Sequence, residues 1–147
     1  MTRRERLTPQ DLHAEIEELF SELWHVPRFA GMRRGFRPMV DSYRTDDPAE
    51  LTVIVEVPGI DPKSLTIVVS ERTLAVSGER VRDRSDGRVY QQMEIEYGPF
   101  QRQVDLGVAV DSSRATATYE AGMLRIELPL ARSTPPGRRV PIVVELR

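Results

Sequence analysis

The segment Arg114 to Leu130, Arg-Ala-Thr-Ala-Thr-Tyr-Glu-Ala-Gly-Met-Leu-Arg-Ile-Glu-Leu-Pro-Leu, constrains the fold more than any other part of the chain. Ala115, Ala117 and Tyr119 share one parity, and Arg114, Thr116, Thr118 and Glu120 share the other. Further on, Leu124, Ile126 and Leu128 alternate with Arg125 and Glu127. A repeat of two places alternate side chains on opposite faces of an extended chain, so both halves read as half-buried strands rather than helix. Between them Gly122 can supply the positive φ that closes a three-residue hairpin loop. Pro129 has no N–H to give to a ladder and should end the second strand.

The same alternation recurs upstream. Asp41-Ser42-Tyr43 reads as a short edge strand ahead of an Asp46-Asp47-Pro48 turn. Leu51, Val53, Val55 and Val57 then alternate with Thr52, Ile54 and Glu56, and Pro58-Gly59 stops that strand. Leu65, Ile67 and Val69 form another, and Leu74 and Val76 a further one before Gly78. Short strands with turn signals between them, and no long internal helix, predict an antiparallel β-sandwich over residues 41–130. Arg102 shares parity with Phe100, Val104 and Leu106. A guanidinium on an apolar parity requires a carboxylate, an interface, or a path to the sheet edge. Residues 78–98 form a long polar loop, Arg80, Arg82, Asp83, Arg84, Ser85, Asp86 and Gly87 among them, and loops of that length are usually functional.

Two flanking segments fall outside this pattern. In the arm 1–40, Thr8 is placed as a helix N-cap and Pro9 at the first helical position. Leu12, Ile16, Leu19, Phe20, Leu23 and Trp24 follow at helical spacing, with Glu15, Glu17, Glu18 and Glu22 mainly on the other faces and Pro27 as the stop. Residues 28–38 mix Phe29, Met32 and Phe36 with glycines and four arginines, have no clear period, and are expected to lack a fixed fold. An amphipathic helix joined to such a stretch suits adaptable binding of apolar surfaces. At the other end, residues 131–147 begin with a Pro/Gly-rich linker and finish with Val140, Ile142 and Val144 in alternation. This last strand lies far from the domain in sequence and is expected to fill a groove elsewhere.

Composition narrows the function. The net charge of −2 gives no pull toward nucleic acid or anionic lipid. The Arg/Phe mixture near residue 30 could stack on single strands. However, residues 1–40 carry seven Arg against six Asp or Glu, so no nucleic-acid partner is expected. There is no cysteine for a disulfide, a thiol nucleophile or a thiolate zinc site. Met1 to Leu7 lacks the apolar core of a secretory signal, and no apolar run approaches the roughly 20 residues that span a bilayer. A cytoplasmic protein without stable membrane insertion is the expectation. His13 and His25 lack the spacing of a metal pair, and no Gly-rich phosphate cradle occurs, so no enzyme, metal or cofactor is expected.

Several motifs then converge on one family. Ala117, Gly122 and Leu124, in the pattern Ala-x-x-x-x-Gly-x-Leu, resemble the signature near the end of the α-crystallin domain of small heat-shock proteins. That family usually has Asn where this chain has Ala121, which makes the turn chemistry slightly weaker here. Val57-Pro58-Gly59-Ile60 resembles its Pro-Gly turn, and Gly98-Pro99-Phe100-Gln101-Arg102 its Gly-x-Phe-x-Arg strand entry. Leu106-Gly107 stands where Leu-Pro is usual, and Val140-Pro141-Ile142 resembles the Ile-x-Ile tail motif. The resemblance, of the bacterial and plant type, implies an immunoglobulin-like sandwich with a helical or disordered N-terminal arm and an extended C-terminal tail. It implies dimerisation by a strand in the 78–98 loop, with Tyr90, Met93 and Arg102 at the interface. Tails carrying Val140 and Ile142 would link dimers into larger homo-oligomers, docking in a groove that involves Ile67 and Val69.

The function so implied is an ATP-independent holdase that binds unfolding client proteins and prevents their aggregation. Leu12, Ile16, Leu19, Phe20, Leu23, Trp24, Phe29 and Phe36 are the expected client-binding residues. The alternative is a monomeric β-sandwich adaptor or co-chaperone that binds one folded partner.

Overall fold

The computed structural model describes residues 36–132 and 137–145. The expected arm helix, with Leu12, Ile16, Leu19, Phe20, Leu23 and Trp24, and Phe29 beyond its end, lie outside the described residues. Among the described residues nine strands run in order: β1 (Val40–Asp46), β2 (Ala49–Glu56), β3 (Thr66–Ser70), β4 (Thr73–Arg80), β5 (Gly98–Asp105), β6 (Thr116–Glu120), β7 (Met123–Pro129), β8 (Arg138–Arg139) and β9 (Ile142–Val144). They make two facing sheets, a five-stranded one in the order β1-β2-β7-β6-β9 and a four-stranded one in the order β5-β4-β3-β8. All pairings are antiparallel except the terminal β9, which joins β6 in parallel.

Alternation decides which side chains meet between the sheets. Val53, Val55 and Val57 from the β2 segment lie beside Leu124, Ile126 and Leu128 of β7 in one sheet and share a core with Ile67 and Val69 of β3 and Leu74 and Val76 of β4 in the other. Burying one such side chain contributes about 1.5–3 kcal/mol, so this layer dominates the stability of the sandwich. Asp61 and Asp111 each accept a backbone N–H two residues on, and each caps a single 3-10 turn between strands. β4 does not stop before Gly78 but runs on to Arg80. A Cβ on Gly78 would lie 3.1 Å from both the Leu65 and Phe100 side chains, so glycine there lets the two close over the strand.

The β6–β7 hairpin forms as expected, but with a tighter turn. Glu120 pairs with Met123, which leaves a two-residue loop with Ala121 at φ 50° and Gly122 at φ 79°. Positive φ at both central positions is the type I′ arrangement, whose twist matches that of the strands. Gly122 is needed for a second reason: a Cβ there would come within 2.9 Å of Pro58. That close approach lets the Val57 N–H donate to the Gly122 carbonyl at 2.8 Å, while the Tyr119 hydroxyl donates to the Val57 carbonyl at 2.9 Å.

Candidate interaction surfaces

Three parts of the sandwich carry the residues singled out from sequence. The first is the groove between the open edges of β3 and β6. The C-terminal segment lies in it, with β8 pairing antiparallel to β3 and β9 parallel to β6. The Val140 N–H donates to the Ile67 carbonyl at 3.2 Å, and the Glu145 N–H to the Tyr119 carbonyl at 3.2 Å. Val140 is only 6% exposed and belongs to the core, and Ile142 packs against that core half-buried. The expectation that this strand is too distant to join its own domain is therefore corrected. The ten residue-to-residue steps from Leu130 to Val140 can span about 35 Å when extended, and two unpaired strand edges offer hydrogen bonds nearby. Ile67 and Val69 lie fully buried on β3, beneath this segment.

The second part is the excursion 81–97 between β4 and β5. Val89 is 90% exposed and Ile95 62%, and Val81, Tyr90 and Met93 are exposed as well. Short-range polar contacts hold the loop. Arg88 Nη2 pairs with Asp83 Oδ2 at 2.7 Å, and Arg82 Nη2 donates to the Ile95 carbonyl at 3.3 Å. The Arg82 guanidinium also lies over the rings of Tyr97 and Tyr90, at 4.2 and 5.4 Å. Hydrogen bonds from Arg88 and Arg82 hold the Tyr90 hydroxyl below the ordinary tyrosine pKa. At the base, Arg80 Nε donates to the Glu96 carbonyl at 2.9 Å and Nη1 to the Pro58 carbonyl at 3.2 Å.

The third part is the face near the start of β1. Arg102 is half-buried on the apolar parity of β5, and its Nη1 donates to the Pro38 carbonyl at 2.8 Å. Burial, with Arg37 nearby, holds its pKa below the ordinary arginine value. Phe36, grouped from sequence with an arm exposed to clients, is instead 9% exposed and part of the core. It meets Phe100 edge-on at 5.5 Å, and the Arg80 guanidinium covers its ring face at 3.6 Å. An aromatic packed on both sides gains more from this site than from solvent. Arg80, grouped from sequence with the polar loop 78–98, instead ends β4 and carries the same signal as Arg102: it shares parity with Leu74, Val76 and Gly78.

Among the described residues no three His, Cys, Asp or Glu side chains gather as a metal site, and no helix is long and apolar enough to cross a membrane. Two facing sheets, a long excursion after β4 and a terminal strand across the sandwich edge define the α-crystallin class of β-sandwich. The Hsp20/alpha crystallin family description matches residues 43–143, and the chain belongs to that family, the small heat-shock proteins, which are in general ATP-independent chaperones.

Alpha-crystallin of Mycobacterium tuberculosis (strain ATCC 25618 / H37Rv) is 32% identical over 139 residues, covering 91% of this chain and 90% of its own. Small heat shock protein C2 of Rickettsia felis is 27% identical, covering 78% of this chain and 73% of its own. Among solved structures, a small heat-shock protein from Xylella fastidiosa, described as having a distinct high-order structure, superposes with a TM-score of 0.58. It is 28% identical and covers 74% of this chain and 97% of its own. Heat shock protein 16.0 from Schizosaccharomyces pombe shares the fold, with a TM-score of 0.61 at 24% identity over 68% of this chain and 92% of its own.

Proposed function

We propose that the chain is a cytoplasmic holdase, which captures unfolding proteins on apolar surface without nucleotide. Residues 1–40 form the capture arm, 41–130 the domain, and 131–147 a linking tail. Leu12, Ile16, Leu19, Phe20, Leu23, Trp24 and Phe29 meet the client, and Phe36 roots the arm in the domain. Hydrophobic capture is non-directional, so client selectivity is broad. The observation that carries the reading is the row of apolar side chains, Val89, Tyr90, Met93 and Ile95, left in water by an otherwise well-packed sandwich. A patch of this kind marks an interaction site. Here it serves dimerisation, with the excursion adding a strand to a partner subunit's sheet and Arg102 close to the contact.

Tails carrying Val140 and Ile142 link dimers by entering the Ile67/Val69 groove of a neighbouring subunit. Each docking event is weak once ordering costs are subtracted, so several must act together through effective concentration. A second reading, a monomeric adaptor, is favoured by one observation, the seating of Val140 within its own domain.

Light scattering of a heated client, without nucleotide, tests the function. Near-stoichiometric protein should suppress aggregation, and an unchanged scattering curve would refute the holdase. Removing residues 1–33, which spares the buried Phe36, should abolish protection while the β-domain stays folded. Multi-angle light scattering separates the two readings, because a stable monomer at working concentration favours the adaptor.

A further inference from the structure

We infer that Arg80 mechanically couples the seating of Phe36, at the root of the N-terminal arm, to the neck of the 81–97 excursion, so that withdrawing Phe36 loosens the neck and opening the neck loosens Phe36. The device lies within a single chain and does not depend on the holdase reading.

Three separate segments converge on this one guanidinium. Nε and Nη2 both donate to the Glu96 carbonyl, where the excursion returns to the sandwich. Nη1 donates to the Pro58 carbonyl, in the turn after β2. The flat face covers Phe36 at 3.6 Å and approaches the Tyr97 ring at 5.6 Å. Only a planar, forked cation can donate in its own plane while presenting a face to a ring; a lysine ammonium cannot do both. Arg80 faces Gly98 in the β4–β5 register, so it sits where the excursion closes.

The coupling follows from this shared orientation. If Phe36 withdraws, the guanidinium loses its stacking partner, its face is hydrated, and the long side chain regains rotamers that compete with the Glu96 bonds. If the neck opens instead, the guanidinium is no longer held flat over Phe36. Linkage makes the two effects reciprocal. Arg102 provides an internal control, because its Nη1 holds the Pro38 carbonyl of the same arm root.

Hydrogen exchange on the full-length protein reads both segments at once, with all variants compared at a concentration where scattering gives the same mass. Arg80→Lys and Phe36→Leu should each speed exchange in residues 36–39 and also in 81–97, by roughly two- to five-fold given the strength of a cation–π contact at a partly exposed site. Arg102→Gln frees the Pro38 carbonyl but leaves Phe36 stacked between Phe100 and Arg80, so it should speed exchange at Met39 alone and leave 81–97 at the wild-type rate. Unchanged exchange in 81–97 for Phe36→Leu would overturn the coupling. So would an equal response of that loop to Arg102→Gln, since it would mean general loosening. If Arg80→Lys does not fold, the Phe36→Leu and Arg102→Gln pair decides the question alone.

Discussion

The tail and the 81–97 excursion begin from similar sequence and end in opposite places. Both are outside the main strand pattern, and both carry a few large apolar residues among polar ones. Yet Val140 is sealed in the core while Val89 stands almost wholly in water. The difference lies in what each segment can pair with. The tail alternates strictly, and its Val140 and Ile142 reach strand edges on β3 and β6 that lack other partners. The excursion is instead held by arginine side chains bonded to backbone carbonyls and by the Arg88–Asp83 pair. Such exposed contacts order a loop locally but bury little apolar surface. Apolar content thus does not decide whether a segment is free; an open edge of matching parity does.

The contrast can be broken experimentally, most strongly at the tail. Val140→Gly with Ile142→Gly should lower the unfolding free energy of the domain by about 1–3 kcal/mol, read by urea denaturation. The same variant should strip exchange protection from residues 138–145. Unchanged stability would mean that the tail is not seated on its own domain in solution. A smaller effect is expected in the hairpin that supports β9. Ala121→Asn should raise stability by about 0.5–1 kcal/mol, since Asn tolerates the left-handed conformation that Ala adopts there at a cost. A drop in midpoint would argue against the type I′ turn. The smallest stability change should come from the excursion. Met93→Ser with Ile95→Ser should stay within about 0.5 kcal/mol, as for other exposed positions, while the mass seen by light scattering falls toward the monomer. A large destabilisation without a fall in mass would place those side chains in the fold rather than at a contact.

Much of the sandwich was legible because alternation is a local signal. Leu51, Val53, Val55 and Val57 announce both a strand and its buried face, and the Arg114–Leu130 hairpin needs only its own residues. The turn inside that hairpin was less legible, because Ala121 has no intrinsic preference for positive φ and is carried there by the register of Glu120 with Met123. The home of the tail was hidden for a different reason: the pairing of Arg139 with Val68 joins positions remote in sequence, and no local period encodes it. Phe36 was grouped with its aperiodic neighbours, although its fate is set by Phe100 and Arg80, far along the chain. Of the candidate surfaces, Arg102 could be found from parity, and Arg80 could have been found in the same way.

The tail's position has one further consequence. Two copies that traded tails would rebuild the same backbone bonds to Ile67 and Tyr119 and refill the same space around Val140, so the contacts favour neither arrangement. What separates self-closure from exchange is then a contest between the tether, which keeps each tail near its own cleft, and crowding, which brings other clefts within reach. Dilution should favour closed individuals and concentration interlocked ones, with no chemical change in any residue.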